Sequence, residues 1–412
     1  MGARAGIASV EVFDVRFPFR QPFVHHLAAR RGSRSLVVRV RLEDGTTGHG
    51  EALPRPYLTG ETEQGVVDAL SGPLAALAAG WDARDLPSAA RALRSPAARV
   101  ACARAPAAFC GLELALLDAA GRRSGRPVTD LLGPVLRREL PYESAVVGLL
   151  PRALYGLHLE RIRQLGKRVV KLKAGSPRDL ENVALARKVL GDGVQLILDA
   201  NAAWPVAEAI ERIGSLEAFE LAAVEQPVAR EDVAGLAAVR RAVRTPIMAD
   251  ESIATRADAE RLLAADACDL WNLRVGKCGG LLQTLELAAL AARHGIGTQL
   301  GVLVGETGIL GSAGRLLAAC HDGFLHLEFD STGMRQGDVL RTPLAPVVDG
   351  RAPLSCDGAG LGFEVDAARL ETMASARWTA FSAGPHSGGR PGVSAPWTAV
   401  SSARGSERDR ER

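Results

Sequence analysis

The chain has 412 residues, of which 47% are hydrophobic and 24% charged, and its 50 basic residues nearly balance 47 acidic ones. This length suits two packed units, and a net charge of +3 gives no case for binding nucleic acid or a membrane surface. The six cysteines are scattered without a CxxC pair, and no apolar run approaches the roughly 20 residues of a membrane helix. We therefore expect a soluble, cytoplasmic protein.

The amino-terminal part of the sequence predicts an α+β domain over residues 1–135. Alternating apolar and polar residues form three strand-like runs, with a turn at Glu43-Asp44-Gly45, and two helical patterns rich in Ala and Leu follow. These segments are Ser9–Phe17, Ser35–Leu42, Thr46–Ala52, about 61–79 and about 104–122. Together they predict an antiparallel meander packed against helices.

From about residue 140, short apolar strands alternate with helices rich in Ala, Leu and Arg. Candidate strands begin every 23 to 28 residues, near Ser144, Val169, Val194, Ala222, Pro246, Asp269, Gly297 and Leu325. A unit of this length holds one strand, one helix and two short loops, so neighbouring strands must be parallel. A doubly wound open sheet would give a similar rhythm, but eight such strands also close a barrel. We favour an α/β fold with a (β/α)8-type TIM barrel over residues 136–349.

The segments after the last predicted strand carry weaker signals. The Gly- and Pro-punctuated stretch 347–363 indicates that residues of about 350–380 return to the first domain and complete it. Beyond Phe381 the chain is rich in Ser, Gly, Pro and Arg, a composition that cannot bury enough apolar surface to fold. We therefore predict a disordered tail over residues 381–412.

Charged residues fall at the predicted carboxyl ends of successive strands, where barrel active sites are built. The second strand contains both Lys171 and Lys173, and the period of two along a strand puts them on the same side. The charged residues at five successive strand ends are Lys173, Asp199, Glu225, Asp250 and Lys277. The order is a lysine, three acids and a lysine, with one strand-and-helix unit between neighbours.

The three acids predict a metal site. Each alone could cap the helix after its strand, but three in succession would repel one another and raise their pKa values unless a cation lay between them. Oxygen ligands without His or Cys favour Mg²⁺. We therefore predict that Asp199, Glu225 and Asp250 bind one Mg²⁺.

The lysines predict acid/base chemistry. Crowded ammonium groups in a partly desolvated site lower one another's pKa, which makes a lysine a base near neutral pH. Lysines on the second and sixth strands lie on opposite sides of the mouth, so one can take a proton next to a substrate carboxylate and the other can return it. A divalent metal and cationic lysines stabilise the negative charge that develops. We predict Lys173 and Lys277 as the catalytic pair, with Lys171 beside them.

These residues resemble the enolase superfamily, specifically the muconate-lactonizing-enzyme subgroup of the mandelate racemase/muconate lactonizing enzyme family. Lys171-Leu172-Lys173 is similar to the subgroup's K-x-K, and Lys277 before Cys278-Gly279-Gly280 is similar to the opposing acid/base lysine. The three acids stand where the metal ligands occur, and the match covers roughly residues 8–375. The resemblance implies a modified (β/α)7β barrel under an amino-terminal capping domain, Mg²⁺ as cofactor, a small-molecule carboxylate substrate and a homo-oligomer.

The resemblance also implies substrate-binding positions, with some departures. Arg274 replaces the first lysine of the subgroup's K-x-x-K, which keeps the charge but removes a possible base. Glu306 resembles a strand-seven carboxylate at the metal-bound end of the substrate. Glu328 and Asp330 stand where dipeptide epimerases carry D-x-D to bind the substrate ammonium.

Two segments resemble the cap loops that choose the substrate in this superfamily. Phe17–Gly32 is similar to the mobile specificity loop, and His25 within it is a candidate substrate contact. Pro54–Thr62 is similar to a second cap loop.

The function predicted from this pattern is an isomerase, a racemase or epimerase of dipeptides or N-acyl amino acids. The same constellation serves a muconate-type cycloisomerase or an o-succinylbenzoate synthase-like lyase, and the cap loops and last strand decide among them. A barrel aldolase with Lys173 or Lys277 as Schiff base is a remote alternative that needs no three-acid metal site. A catalytically silent binding relative is another.

Overall fold

The computed structural model describes residues 4–25, 28–328, 331–354 and 358–383. The strands in chain order are β1 Ile7–His25, β2 Ala28–Leu42, β3 Thr47–Ala52, β4 Glu139–Pro141, β5 Ser144–Val147, β6 Val169–Lys173, β7 Gln195–Asp199, β8 Ala223–Glu225, β9 Ile247–Ala249, β10 Leu270–Leu273, β11 Gly297–Leu300, β12 Phe324–Leu327, β13 Arg351–Pro353 and β14 Ala374–Ser382. The helices are α1 Pro56–Thr59, α2 Glu63–Ser71, α3 Pro73–Ala78, α4 Leu86–Leu93, α5 Pro96–Arg104, α6 Pro106–Ser124, α7 Thr129–Leu132, α8 Arg152–Gln164, α9 Asp179–Leu190, α10 Val206–Leu216, α11 Val233–Ala242, α12 Arg256–Ala264, α13 Leu281–Arg293, α14 Gly308–Cys320 and α15 Ala367–Met373. Two short 3₁₀ segments are Glu217–Phe219 and Ser331–Met334.

The four-stranded antiparallel sheet and helices α1 to α6 form a layer that we call the cap. The order of its strands is β14-β1-β2-β3, and the long helix α6 packs against β3 and β2. The carboxyl-terminal strand β14 adds to the outer side of β1, where Phe381 pairs with Val10. Phe381 and Ser382 are therefore strand residues and not the start of the predicted tail, and residues 384–412 lie outside the described part of the chain.

The segment predicted as a loop, Phe17–Gly32, differs from that prediction. β1 and β2 extend into it as an antiparallel ribbon on either side of residues 26 and 27, which lie outside the described part of the chain, with Phe17 opposite Ser33 and an irregular register after Pro18. The local sequence accounts for this, because Phe17 and Phe19 are buried while the residues on either side of Phe19 are exposed. Such alternation is the pattern of a half-buried strand.

The helical part of the cap is more divided than the sequence pattern predicted. The expected helix at 61–79 is broken into α2 and α3 at Gly72-Pro73, since proline cannot continue a helix but fits the first turn of the next. α4 and α5 were not predicted; each begins with a capping side chain, Asp85 or Ser95, that accepts from a backbone N–H of its helix.

Eight parallel strands, β5 to β12, follow one another in chain order in a single sheet, and each begins within one residue of the predicted start. β5 and β12 are the end strands of this sheet, yet Ser144 Oγ donates to the carbonyl oxygen of Leu327 at 2.6 Å, which joins the two ends. The sheet therefore curls round into a barrel, and the barrel expected from the strand rhythm is confirmed.

The interior of the barrel changes from apolar to charged along the strands. Val169, Ile197, Ala223 and Met248, one from each of four neighbouring strands, pack together as a small buried cluster. The period of two then directs the next inward side chains, such as Lys171, towards the carboxyl ends. An apolar floor therefore lies below a charged mouth.

The helices α8 to α14 alternate with the barrel strands. Among the helices of the described residues, none is long and apolar enough to cross a membrane.

Candidate active site

The predicted acids and lysines meet at the carboxyl end of the barrel. Lys173, Asp199 and Glu225 are the last residues of β6, β7 and β8, and their Cα atoms are paired across the three strands. Asp250 directly follows β9, and Lys277 lies in the loop between β10 and α13. The three acids are at most 1% exposed and the two lysines at most 9%, so all five charged groups are largely shielded from bulk water.

Lys173 is fixed at one side of the mouth. Its Nζ donates to Asp199 Oδ2 at 2.6 Å and to Asn201 Oδ1 at 2.9 Å. The amide of Asn201 donates in turn to Glu251 Oε1 at 3.2 Å. Asn201 has a φ of 46°, a left-handed conformation that is costly for a residue with a side chain, so its contacts must hold this turn in place.

Lys277 is fixed at the other side. Its Nζ donates to Asp250 Oδ1 at 2.7 Å, to the Asp250 carbonyl oxygen at 2.6 Å and to the Asn272 carbonyl oxygen at 2.8 Å. Arg274 also donates to Asp250 and reaches the Val302 carbonyl oxygen at 2.9 Å. Burial raises the pKa of Asp250, but Arg274, Lys277 and Lys171 outweigh it and hold that pKa well below its usual range.

Lys171 does not behave as the sequence led us to expect. Its Nζ contacts Glu328 closely and lies 2.7 Å from Glu225 Oε2 and 3.9 Å from Asp199 Oδ2. Burial lowers the pKa of Lys171, but these three carboxylates outweigh it and raise the pKa above its ordinary value. The expectation that crowding lowers the pKa is therefore wrong for Lys171, because three carboxylates lie against its ammonium group.

Two other carboxyl groups at the mouth, Glu225 and Glu251, have a pKa above the ordinary value. Burial and Asp199 raise the pKa of Glu225 to about 7, against the lowering effect of Lys171. Burial, Asp250 and Asp199 raise the pKa of Glu251 to about 8. Glu251 Oε2 is buried and has no hydrogen-bond partner among the described residues. The mouth therefore holds more negative charge than its cations neutralise.

A count of the charged groups at the mouth also indicates an excess of negative charge. Among the described residues at the mouth, five carboxyl groups face four cationic side chains, which leaves one negative charge in excess when all five carboxyl groups are ionised. These groups are Asp199, Glu225, Asp250, Glu251 and Glu328 against Lys171, Lys173, Arg274 and Lys277. Buried charge of one sign calls for a counter-ion, and an all-oxygen donor set is the kind that Mg²⁺ prefers.

The carboxylates do not stand as a ready metal cage. In the described ranges of the chain, no group of three or more His, Cys, Asp and Glu side chains stands in a metal-binding arrangement. The contacts explain this, since Lys173, Lys171 and Lys277 each lie against one of the three predicted ligands. The donor set fits Mg²⁺ by type and charge, provided that these lysines give up their ion pairs.

The predicted substrate-binding residues lie in different surroundings. Glu328 already has two partners, Lys171 on one oxygen and the Val302 N–H on the other at 2.9 Å. Glu306 is buried, accepts from the Leu303 N–H at 2.6 Å, and has a pKa raised to about 8 by burial. The side chain of His25 and the whole of Asp330 lie outside the described part of the chain.

The cap closes the mouth from above. Tyr57 and Leu58, in the segment predicted as a second cap loop, line the same cavity as Lys171, Lys173 and Glu251. Leu58 is tied to the barrel by Arg230, whose Nη1 donates to the Leu58 carbonyl oxygen at 2.6 Å.

Sequence reasoning missed three polar residues of this network: Asn201, Glu251 and Asn272. Asn272 donates to Glu225 Oε1 at 2.8 Å, and Asn201 links Lys173 to Glu251, the residue directly after Asp250. Asn201 and Glu251 follow the predicted ligands by two residues and one residue, so polarity next to a strand end was the available signal.

Comparisons with known proteins agree with this architecture. Residues 7–133 match the family model for the mandelate racemase/muconate lactonizing enzyme amino-terminal domain, and residues 157–369 match the enolase carboxyl-terminal domain-like model. A hydrophobic dipeptide epimerase of Citrifermentans bemidjiense is 30% identical over 362 residues, which cover 85% of this chain and 95% of the relative. Muconate cycloisomerase 1 of Pseudomonas putida is 32% identical over 291 residues, 69% of this chain and 74% of the relative.

A solved structure is similar over almost the whole described chain. It is the dipeptide epimerase of Cytophaga hutchinsonii, crystallised with Mg and the dipeptide D-Ala-L-Val. The TM-score is 0.80 at 25% identity, and the match covers 91% of this chain and all of that one.

Proposed function

Because the chain belongs to the mandelate racemase/muconate lactonizing enzyme family, in the muconate-lactonizing subgroup of the enolase superfamily, we propose that it is a Mg²⁺-dependent racemase or epimerase. It is an isomerase of that superfamily, as its relatives are. The reaction we propose removes the proton next to a substrate carboxylate and returns a proton to the same carbon from the other face. The family assignment sets aside the Schiff-base aldolase, and the activities of the relatives favour an active enzyme over the silent binding relative.

The observation that carries this proposal is the separation of two buried lysines around the barrel. Lys173 ends the second of eight strands and Lys277 follows the sixth, so four strand positions separate them in either direction around the closed sheet. A substrate lying over the mouth between them presents one face to each Nζ. Either lysine, as the free amine, takes the α-proton from its own face, and the opposite lysine, as ammonium, supplies one.

The acids hold the cofactor in this proposal. Asp199, Glu225 and Asp250 would bind Mg²⁺, which supplies positive charge to the substrate carboxylate while negative charge develops on it. Each of these acids now contacts a lysine. Lys173 and Lys277 must therefore leave Asp199 and Asp250 before they can reach a substrate, which couples cofactor binding to the freeing of the two bases.

The substrate class we propose is a dipeptide or an N-acyl amino acid. The support is similarity to two dipeptide epimerases and the acidic end of the last barrel strand at Glu328 and Asp330. Because Glu328 is already paired with Lys171, an ammonium group of the substrate would share Glu328 with Lys171. The 32% identity to a muconate cycloisomerase favours a second candidate, a cycloisomerase acting on an unsaturated diacid with the same lysines.

We further propose two domains, with residues 1–135 and about 350–380 in the cap and 136–349 in the barrel, and a cytoplasmic homo-oligomer. The described cysteines are free and buried, which supports a reducing compartment.

Hydrogen exchange in D₂O tests the roles of the lysines. We expect Lys277→Met to stop epimerisation while leaving exchange of the α-proton in one enantiomer, and Lys173→Met to leave exchange only in the other. Loss of a positioned acid or base costs about 10²- to 10⁴-fold, so the remaining exchange identifies the face that each lysine serves. Before this experiment, the substrate is identified by NMR screening of a panel of dipeptides, N-acyl amino acids and unsaturated diacids.

The control is Lys188→Met, in a helix on the outside of the barrel, which should exchange both enantiomers as the wild type does. If both lysine variants exchange both enantiomers at wild-type rates, neither lysine is the base. If diacids without an amine are the best substrates, the cycloisomerase replaces the epimerase.

A further inference from the structure

The cap touches the barrel at the loop that carries Lys277. Two glycines, Gly279 and Gly280, end this loop and have φ values of 86° and 111°. A Cβ built on Gly279 would lie 2.2 Å from Cys102 Sγ, and one on Gly280 would lie 1.8 Å from Glu113 Oε2. Cys102 and Glu113 belong to α5 and α6 of the cap. Only a chain without side chains at these positions can approach the cap this closely.

Glu113 binds the first residues of the helix that follows. Its Oε2 accepts from the Leu281 N–H at 2.6 Å and its Oε1 accepts from the Leu282 N–H at 2.9 Å. These are the first two residues of α13, whose N–H groups have no partner inside the helix. Gly280, at the cap position of α13, has no side chain that could bind them. A carboxylate from the cap therefore does the work of the missing capping side chain.

This contact bears directly on the position of Lys277. Only three residues, Cys278, Gly279 and Gly280, separate Lys277 from α13. The intervening chain is tied back on itself, with the N–H of Lys277 donating to the Arg274 carbonyl oxygen and that of Gly280 to the Val275 carbonyl oxygen. The loop is thus a short, closed turn, and the two residues that follow it, Leu281 and Leu282, are hydrogen-bonded to Glu113.

Among the described residues, the side-chain hydrogen bonds of Lys173 stay within the barrel. The residues that hold its side chain, Asp199 and Asn201, both belong to the barrel. A disturbance at Glu113 therefore reaches one of the two proposed acid/base lysines and not the other.

We propose that Glu113 is a positioning residue for Lys277: the cap fixes the lysine that serves one face of the substrate by capping helix α13 across the interface. Glu113 is 0% exposed, it is not among the residues that line the cavity at the mouth, and its described hydrogen bonds are those it accepts from the Leu281 and Leu282 N–H groups. The cap therefore sets the geometry of catalysis on one face in addition to covering the site. This inference rests on the proposed function, since it assigns each lysine one face.

A second cap glutamate provides a matched control. Glu51, on β3, is also 0% exposed and caps the next barrel helix, α14, by accepting from the N–H groups of Thr307 and Leu310 and from the Thr307 hydroxyl. The loop before α14 carries neither lysine. Glu51→Gln thus disturbs a buried capping carboxylate at the same interface without acting on Lys277.

The experiment measures exchange of the α-proton of each substrate enantiomer in D₂O for Glu113→Gln, Glu113→Asp and Glu51→Gln. The single lysine variants show which face each lysine serves. We expect Glu113→Gln to slow exchange on the Lys277 face about 10- to 100-fold more than on the Lys173 face, the loss typical of a catalytic group displaced by about 1 Å. Glu113→Asp, which keeps the carboxyl group but is one methylene shorter, should recover part of that loss. Glu51→Gln should change both faces by one common factor.

The outcomes separate this inference from the proposed function. If the lysine variants are face-selective but Glu113→Gln and Glu113→Asp slow both faces equally, Glu113 is a structural residue only and the inference fails. If the lysine variants themselves show no face selectivity, the proposed mechanism fails first. If Glu113→Gln does not fold, Glu113→Asp alone decides, because a selective fall supports positioning and an equal fall overturns it.

Discussion

The acids at the barrel mouth share their oxygens with ammonium and guanidinium groups. Asp199 is bonded to Lys173, Glu225 lies against Lys171, and Asp250 is held by Lys277. Breaking a buried ion pair leaves an uncompensated charge unless another cation replaces the first. A divalent ion at the acids would provide that replacement and free the lysines for the substrate.

Asp199→Asn tests the metal site at the scale of one residue. We expect it to weaken Mg²⁺ binding by at least about 10-fold, since it removes the charge of one ligand. Isothermal titration calorimetry of the metal-free protein measures the affinity directly. Asp366→Asn, at the cap of a helix far from the mouth, should bind Mg²⁺ as the wild type does. Equal Mg²⁺ affinity in the two variants, or full activity of the wild type in EDTA, would contradict the assignment.

Strand β3 brings a neutral histidine into the core of the cap. His49 is 8% exposed, its Nε2 has no hydrogen-bond partner among the described residues, and its backbone N–H donates to Asp118 Oδ2 at 3.0 Å. Burial, Arg39 and Arg122 lower the pKa of His49 from 6.5 to about 3. The folded cap therefore excludes the proton that an unfolded chain would take up.

The acid stability of the cap should follow from this. The pKa of His49 is about 3 in the folded protein, so the unfolded chain takes up the proton first as the pH falls. The contribution of His49 to the free energy of unfolding is therefore fully present above the unfolded pKa and is lost as the pH falls below that pKa. The loss is at most about 1.4 kcal/mol per pH unit. We expect His49→Gln to lose less free energy of unfolding than the wild type between about pH 6 and pH 4. Urea denaturation at several pH values measures this.

The exposed His294 supplies the control for that experiment. His294→Gln should keep the wild-type pH dependence. An unchanged pH dependence in His49→Gln would show that His49 is not the group that takes up the proton.

At the scale of the whole molecule, the two ends of the described chain meet in one sheet. β14 covers the outer edge of β1, and Arg377 of β14 pairs with Glu11 and lies 5.3 Å from the centre of the Phe13 ring. Without β14, the backbone groups along β1 would be an open edge. The barrel lies between these segments in the sequence, so the cap can be completed only after the barrel has been synthesised.

Two truncated chains test whether β14 stabilises the cap. A chain ending at residue 383 should unfold at the same urea concentration as the full chain. A chain ending at residue 373 should lose about 2 kcal/mol or more, because Trp378 and Phe381 pack against the core and would be removed with the strand. Equal stability of the two truncated chains would mean that β14 contributes nothing to the cap.

Some features of the fold and site could be predicted because they depend on local repetition. The spacing of strand and helix units gave each barrel strand to within one residue, and the period of two put Lys171 and Lys173 on the inner side. Parallel strands end at the same edge, so acids at successive strand ends had to meet. The ribbon within Phe17–Gly32 was missed because its pairing joins two separate segments, and the two prolines and the glycine of this stretch, which are typical of loops, masked a short alternation.

The sequence by itself determined the barrel, the α+β pattern of the amino-terminal unit and which charged residues share the mouth, since these follow from periodicity along the chain. Only the tertiary structure decided which cation pairs with which acid, and hence that the pKa of Lys171 is raised and not lowered. It also decided that Glu113 caps a helix 168 residues further along the chain. Such contacts depend on distances of a few ångströms between segments remote in sequence, and electrostatic energies depend steeply on those distances and on burial.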